Sequence, residues 1–230
     1  MTDLILSAHR SAWAASHNHR TEWDEGKKMI KYRDKILKRD DYTCQACGWR
    51  SERYQEIHHR DHNHKNFYES NLETLCPLCH QVFHLPSAAS TNGGSIIWLP
   101  EISQAHLNLL CIGIFSTQRN TKNQWVGITR TLYGALEARK AWMDENLSRA
   151  DPGILAQLLL NIPPEKYEKR HEWLAHLRLL PSASRFEEAA EYWYSMYFKP
   201  VPEAEWGKAL EAFNVTDLLE SLGDKVSKRG

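Results

Sequence analysis

Residues 44–84 read CQACGWRSERYQEIHHRDHNHKNFYESNLETLCPLCHQVFH and carry the strongest structural signal of the chain. The segment begins with Cys44 and Cys47 and comes back near its end to Cys76 and Cys79. Each pair is spaced by two residues, which lets two tight turns direct four thiolates at one tetrahedral zinc ion. The sequence therefore predicts a structural Zn²⁺ ion bound by these four cysteines.

The fifth cysteine and the first residues of the chain give no sign of disulfide bonds or of export. Cys111 lies on the apolar side of a predicted helix and is interpreted as plain core. Residues 1–15 lack the basic start and apolar run of a signal peptide, so disulfides are not expected. The sequence contains no run of 18 apolar residues, so no membrane span is predicted.

Histidines are concentrated between and after the two cysteine pairs. His80 and His84 are four residues apart, so a helix would place both on one face, where they can bind one metal ion. His58 and His59 follow a strand-like run, and a strand directs neighbouring side chains to opposite faces. Both can therefore reach one site only if the strand bends there. A strand, a loop and a helix around one ion form a ββα-metal arrangement.

This segment resembles the HNH endonuclease family. The matching residues lie at Arg39–Cys44, Ile57–His59, Asn71–Cys76, Cys79–His80 and His84. The resemblance implies three metal ligands, which are His58, His80 and His84. It also implies that His59 is the general base that takes a proton from water and that Asn71 orients this base.

A second divalent ion at these histidines would suit phosphodiester hydrolysis. A neutral imidazole accepts a proton near pH 7, and an ion held by three imidazoles keeps positions open for a phosphate. Mg²⁺, Mn²⁺, Ni²⁺ and Zn²⁺ all stay open as the second ion. Modules of this shape also serve as inert scaffolds, so the sequence leaves nuclease activity undecided. His62 and His64 are interpreted as loop residues.

The whole chain of 230 residues is predicted to be α+β, with a small treble-clef-like zinc module before a mostly helical half. We expect a flexible or extended lead at 1–26, the zinc module at 27–94 and the helical region at 95–230. A loop is predicted at Leu85–Gly94 and a strand at Ser95–Leu99. Helices are predicted in several stretches that include 27–40, 128–147, 164–180, 184–198, 202–213 and 215–222, with a helix start at Asp151-Pro152.

The resemblance to known proteins extends beyond the metal segment. SIIWLPE at 95–101, QAHLN at 104–108, DPGILAQL at 151–158 and LRLLPS at 177–182 are similar to the IcmJ/DotN family. This resemblance covers about residues 29–197 and implies a zinc-stabilised structural component of a type IVB secretion system. It implies a place at the cytoplasmic face of the inner membrane and a coupling ATPase or other secretion-complex subunits as partners. The best-known members lack the histidine set that this sequence retains.

Three functional hypotheses therefore stay open. The first is an adaptor that docks a coupling ATPase, with aromatic residues such as Trp173, Trp193 and Trp206 as interface anchors or as core. The second is a metal-dependent endonuclease acting on double-stranded DNA. The third is a zinc-finger DNA binder, which a formal net charge of zero disfavours because no broad basic surface attracts phosphates. A local basic stripe at 27–39 could still contact DNA, although a solvated helix face explains it equally well.

Overall fold

The computed structural model describes residues 2–9, 30–122, 124–147, 150–202, 205, 208, 217–218 and 220–221. Most of the predicted lead and of the predicted helices at 202–213 and 215–222 lies outside these residues, as does Trp206. The chain forms two compact units. The first unit comprises Met1–Gly93 and Asp151–Ala175, and the second comprises Gly94–Ala150 and His176–Gly230.

In the first unit, a two-stranded antiparallel sheet stands beside the cysteine turns. Strand β1 is Glu56–His59 and strand β2 is Leu72–Leu75, with Glu56 opposite Leu75 and His59 opposite Leu72. A helix covers residues 30–39 in the described part of the chain. The segments after β2 are the helix Pro77–His80, the 3₁₀ turn Gln81–Phe83 and the helix Leu85–Ser90.

The first unit also contains three helices from later in the chain, which are Pro152–Asn161, Pro164–Glu168 and Arg170–Trp173. The predicted start at Asp151 is confirmed, because its carboxylate accepts a hydrogen bond from Gly153 N at 2.7 Å. A Cβ atom added at Gly153 would lie 3.2 Å from the Ala89 side chain, which shows how closely this helix approaches Leu85–Ser90.

The predicted loop at Leu85–Gly94 is therefore wrong over its first six residues. Small residues allow the backbone of Leu85–Ser90 to approach another helix, and buried Leu85 and Ala88 gain from that packing. Helix packing thus overrides the loop-like composition that the sequence suggested.

In the second unit, strand β3 is Gly94–Trp98 and pairs antiparallel with strand β4, which is Leu177–Pro181. The strand predicted at Ser95–Leu99 is confirmed over most of its length. The helix predicted at 164–180 is wrong from Leu177 onward, because β3 offers this apolar run a partner strand. A Cβ atom at Gly94 would lie 2.2 Å from the carbonyl oxygen of Leu180, so the pairing leaves room for glycine alone.

Helices complete the second unit. They are Gln104–Thr117, Val126–Ala138, Lys140–Leu147 and Glu187–Trp193, followed by the π-helical turn Tyr194–Phe198. Cys111, Phe115 and Trp193 are fully buried, so the core role expected for Cys111 is confirmed and Trp193 belongs to the core. The α+β fold with a predominantly helical second half is confirmed. Every helix in the described part of the chain is too short or too polar to span a lipid bilayer.

Candidate metal centres

The first cysteine turn is closed by backbone hydrogen bonds. Cys44 N donates to Trp49 O and Gly48 N donates to Cys44 O, each at 2.9 Å. Gly48 has a φ of +78°, a left-handed conformation that side-chain-bearing residues adopt at a cost. Cys47 N lies 3.5 Å from the Cys44 sulfur, which gives this thiolate a donor when it is charged. The turn therefore directs both sulfurs to the same side.

The second cysteine turn lies between β2 and the next helix. Cys76 directly follows the buried strand β2, and Pro77 starts the helix without needing an N–H donor there. Cys79 N and His80 N both donate to Cys76 O, at 3.0 and 2.9 Å. This turn brings Cys79 into the cluster and fixes His80 directly after it.

The four sulfur atoms all lie within 4.8 Å of one another. Cys47 Sγ and Cys76 Sγ are 3.7 Å apart, which is close to the ~3.8 Å edge of a tetrahedron with Zn–S bonds of about 2.3 Å. Hydrogen bonds from the neighbouring thiols lower the pKa of Cys44, while burial raises the pKa of Cys76 and Cys79. The cluster could hold a zinc ion, which would supply the positive charge that several buried thiolates need.

A second group of donors consists of His58, His80 and His84. One ring nitrogen from each lies within 4.8 Å of the others. His80 Nε2 and His84 Nε2 are 3.2 Å apart, between the ~2.9 and ~3.3 Å expected for octahedral and tetrahedral ligands at about 2.05 Å from an ion. Nδ1 of His58 is buried and has no hydrogen-bond partner among the described residues. These features fit a metal ion.

Burial keeps the rings of His58 and His84 neutral, which is the form that binds metal. Burial, followed by the neighbouring imidazoles, lowers the pKa of His84 to about 2 and also lowers that of His58. The carboxylate of Glu56 lies 2.5 Å from Nδ1 of His80 and meets the side of this ring that faces away from His84. The site therefore has three imidazole donors and an outer carboxylate.

His58 and His59 face different neighbours, as alternation along β1 requires. The His58 ring stacks on Phe83 at 4.4 Å, with the rings of His62, His80 and His84 nearby. The His59 ring instead meets His64 and Phe67, with centroids 5.1 and 5.5 Å away. Burial lowers the pKa of His59 to about 4, so this ring is neutral at pH 7. The structure thus brings together the three predicted ligands and puts the predicted base beside a different set of rings.

Asn71 holds the loop that follows β1. Its side-chain amide donates to Asp61 Oδ1 at 2.8 Å and to Asn66 O at 3.0 Å, and its Oδ1 accepts from Asp61 N. Arg60 N donates to Asn71 O at 2.8 Å. In the described residues Asn71 acts on the residues after His59 rather than on the His59 ring.

Residues 2–9, here called the N-terminal strap, add a histidine that the sequence analysis did not select. Thr2 N donates to Gln45 O, Ser7 N donates to Val82 O, and Leu85 N donates to Ser7 O. Leu6 and Ala8 are buried. The strap is therefore built into the metal-binding segment by backbone hydrogen bonds and apolar contacts.

At the end of the strap, His9 lies between two rings. It stacks on His62 with centroids 3.6 Å apart, and its Nε2 is 3.2 Å from the hydroxyl of Tyr167. Arg170 lies over the Tyr167 ring and hydrogen-bonds Ser7 Oγ. His9 is not part of any sequence pattern of metal ligands, and Tyr167 is far from it in sequence. No sequence signal could therefore have predicted that the two side chains meet beside His62.

A cleft of about 500 Å³ opens near the His59 side of this unit. Phe67, which packs edge-on to His59, also stacks on Tyr32 at 5.8 Å and forms part of the cleft wall. The lining residues are Tyr32, Asn63, Lys65, Asn66, Phe67 and Tyr68. The cleft therefore combines aromatic, amide and cationic groups.

The fold and donor sets define an α+β protein with a four-cysteine cluster that could hold zinc. The chain is 34% identical to Type 4 apparatus protein DotN of Legionella pneumophila over 195 residues, which cover 83% of this chain and 89% of that protein. The chain therefore belongs to the IcmJ/DotN family, and the family resemblance predicted from the sequence is confirmed. No protein-family model matches the chain.

Proposed function

We propose that this protein is a zinc-stabilised cytoplasmic component of a type IVB-like secretion or conjugation apparatus that docks a coupling ATPase. The observation that carries the proposal is the similarity to a type 4 apparatus protein along 83% of the chain, which takes in residues of both compact units. A shared metal motif alone would give similarity confined to the cysteine and histidine segment. The proposed partners are therefore subunits of the same apparatus. Through them the protein would be located at the cytoplasmic face of the inner membrane.

Trp173 is the aromatic anchor proposed for docking. Its surface is 47% exposed, whereas Trp193, a second candidate from the same aromatic series, is fully buried. Exposed tryptophans contribute strongly to interfaces because they bury a large apolar area at little entropic cost. Leu158 is also exposed in the same unit and adds apolar surface.

Binding to the coupling ATPase of the same organism tests this function. Purified protein is titrated with the ATPase by calorimetry, as the wild type and as Trp173→Ala and Tyr68→Ala. We expect wild-type binding, at least ~10-fold weaker binding by Trp173→Ala, and wild-type affinity for Tyr68→Ala, an exposed aromatic residue placed elsewhere. The absence of binding by the wild type contradicts the adaptor function.

The second candidate function is a metal-dependent HNH-type endonuclease, favoured by the convergence of His58, His80 and His84. In that role the three imidazoles hold a divalent ion that supplies Lewis-acid stabilisation of a leaving oxygen. His59, neutral at pH 7, accepts a proton from water, and Asn71 keeps the following loop in place. Double-stranded DNA is the proposed substrate.

Plasmid nicking in the presence of Mg²⁺, Mn²⁺, Ni²⁺ or Zn²⁺ tests the enzyme. If the protein is an active nuclease, we expect His59→Ala to lower its nicking activity by ~10²–10⁴-fold. His106→Ala is the control and should keep the wild-type activity, because His106 is an exposed histidine of the other unit. No cleavage by the wild type with any of these ions rejects the nuclease and leaves the adaptor.

A further inference from the structure

We infer that Glu56 is a positioning residue for the histidine centre, and that the centre it completes takes a transition-metal ion rather than Mg²⁺. This inference rests on the metal role proposed above for His58, His80 and His84. Glu56 fixes both the tautomer and the direction of the His80 ring.

The contact between Glu56 and His80 determines which ring nitrogen is free. An ionised carboxylate accepts hydrogen bonds and donates none, so the proton between Glu56 Oε2 and His80 Nδ1 belongs to Nδ1. In the neutral ring, Nε2 then carries the lone pair. This atom is the one that lies 3.2 Å from His84 Nε2, so the lone pair is on the side where the donors converge.

The register of the sheet accounts for this arrangement. Glu56 and His58 are two residues apart on β1, so their side chains leave the same face of the strand. Glu56 pairs with Leu75, and the chain then passes through Cys76 directly into the helix that ends at His80. One strand face thus supplies a ligand and an outer carboxylate, while the cysteine turn returns His80 to meet them.

The donor set determines the kind of ion. Imidazole nitrogens suit zinc, nickel, iron and copper, whereas Mg²⁺ prefers oxygen ligands and gives up its water shell reluctantly. The described group offers three ring nitrogens, and its carboxylate is engaged with His80 rather than counted among the ligands. Carboxylates that hydrogen-bond ligand histidines typically change metal affinity by ~10–100-fold when they are removed.

The test compares Glu56→Gln and Glu56→Ala with the wild type and with Glu69→Gln. Glu69 is a suitable control because it is about as exposed as Glu56, at 43% against 47% of the side chain, and pairs with Lys35 instead of a histidine. Each protein is loaded with one zinc equivalent, which the cysteine cluster retains. The histidine centre is then titrated with Co²⁺ and followed by its d–d absorption, with and without excess Mg²⁺.

We expect the wild type and Glu69→Gln to bind one Co²⁺ equally and to keep it in excess Mg²⁺. Glu56→Gln should bind ~10–100-fold more weakly, Glu56→Ala at least as weakly, and both should keep the wild-type zinc content. Imidazole ¹⁵N spectra should show the Nδ1–H tautomer of His80 in the wild type and a mixture in Glu56→Ala.

Three results overturn the inference in distinguishable ways. A wild type that binds no Co²⁺ beyond the cysteine cluster removes the histidine centre itself. Equal Co²⁺ affinity in the wild type and Glu56→Gln removes the role of Glu56 and leaves the centre. Displacement of Co²⁺ by equimolar Mg²⁺ removes the preference for transition metals.

Discussion

The imidazole of His9 stacks on that of His62, with ring centroids 3.6 Å apart and planes inclined by 21°. His62 has a φ of +57°, and its ring also lies 5.1 Å from that of His58, a proposed metal ligand. The N-terminal strap thus packs against the loop that borders the histidine centre. We therefore expect the first residues of the chain to contribute to the stability of the first unit.

The first prediction concerns the pH dependence that His9 contributes. Burial, followed by the charges of His62, Arg170 and His64, lowers the pKa of His9 to about 3 from 6.5. As the pH falls below 6.5, the unfolded chain takes up a proton at this residue and the folded protein does not. Folding therefore loses up to about 1.4 kcal/mol per pH unit between pH 6.5 and pH 3.

His9→Gln removes this titration while keeping a polar side chain beside Tyr167. Because the other charged groups are common to both proteins, the wild type should lose about 1 kcal/mol more than the variant between pH 7 and pH 5.5. Urea unfolding of the zinc-loaded proteins at both pH values measures the difference. Equal losses would mean that His9 is protonated as easily in the folded protein as in water.

The second prediction tests the cysteine cluster as a folding element. Cys76→Ser removes a fully buried thiol of the cluster, and zinc binding contributes on the order of 10 kcal/mol in small zinc modules. We expect the variant to bind less than ~0.1 equivalent of zinc and to lose the cooperative unfolding of the first unit. Cys111→Ala is the matched control, since it removes a buried thiol from the second unit. A Cys76→Ser protein with wild-type zinc and stability contradicts the cluster.

The third prediction tests the pairing of β3 with β4. Gly94→Ala puts a methyl group against the Leu180 carbonyl, so backbone strands must separate, at an expected cost of about 1–3 kcal/mol. Gly113→Ala is the control, because an added Cβ meets nothing within 4 Å and a helix prefers alanine by up to about 1 kcal/mol. Thermal unfolding should show a lower Tm for the first variant and an equal or higher Tm for the second.

The sequence predicted the parts of the metal region whose geometry depends on local spacing. Two residues between cysteines determine a turn, and His84 follows His80 four positions later across the 3₁₀ turn Gln81–Phe83, so both groups converge as expected. His58 joins them because β1 pairs with β2, and β2 leads directly into the second cysteine turn and the helix that ends at His80. Family-specific phrases outside the metal segment indicated the family correctly.

What the sequence did not predict depends on contacts between distant residues. Leu177–Pro181 has a helix-compatible composition, and only the edge of β3 makes it a strand. His9 gains its position from Tyr167 and from backbone hydrogen bonds of the strap to residues 45, 82 and 85. The Glu56 carboxylate contacts His80 because β1 lies beside the helix that follows the second cysteine turn. Local patterns contain no information on such partners.

We expect the first unit to hold two metal ions, one on four thiolates and one on three imidazoles. The most direct test is the metal content per chain, by mass spectrometry of metals, after loading with Zn²⁺ and removal of loosely bound ions. Two ions are expected in the wild type and in His106→Ala, and one in a His58→Ala, His84→Ala double variant that still folds. One ion per chain in all three proteins would contradict the histidine centre and leave the cysteine cluster alone.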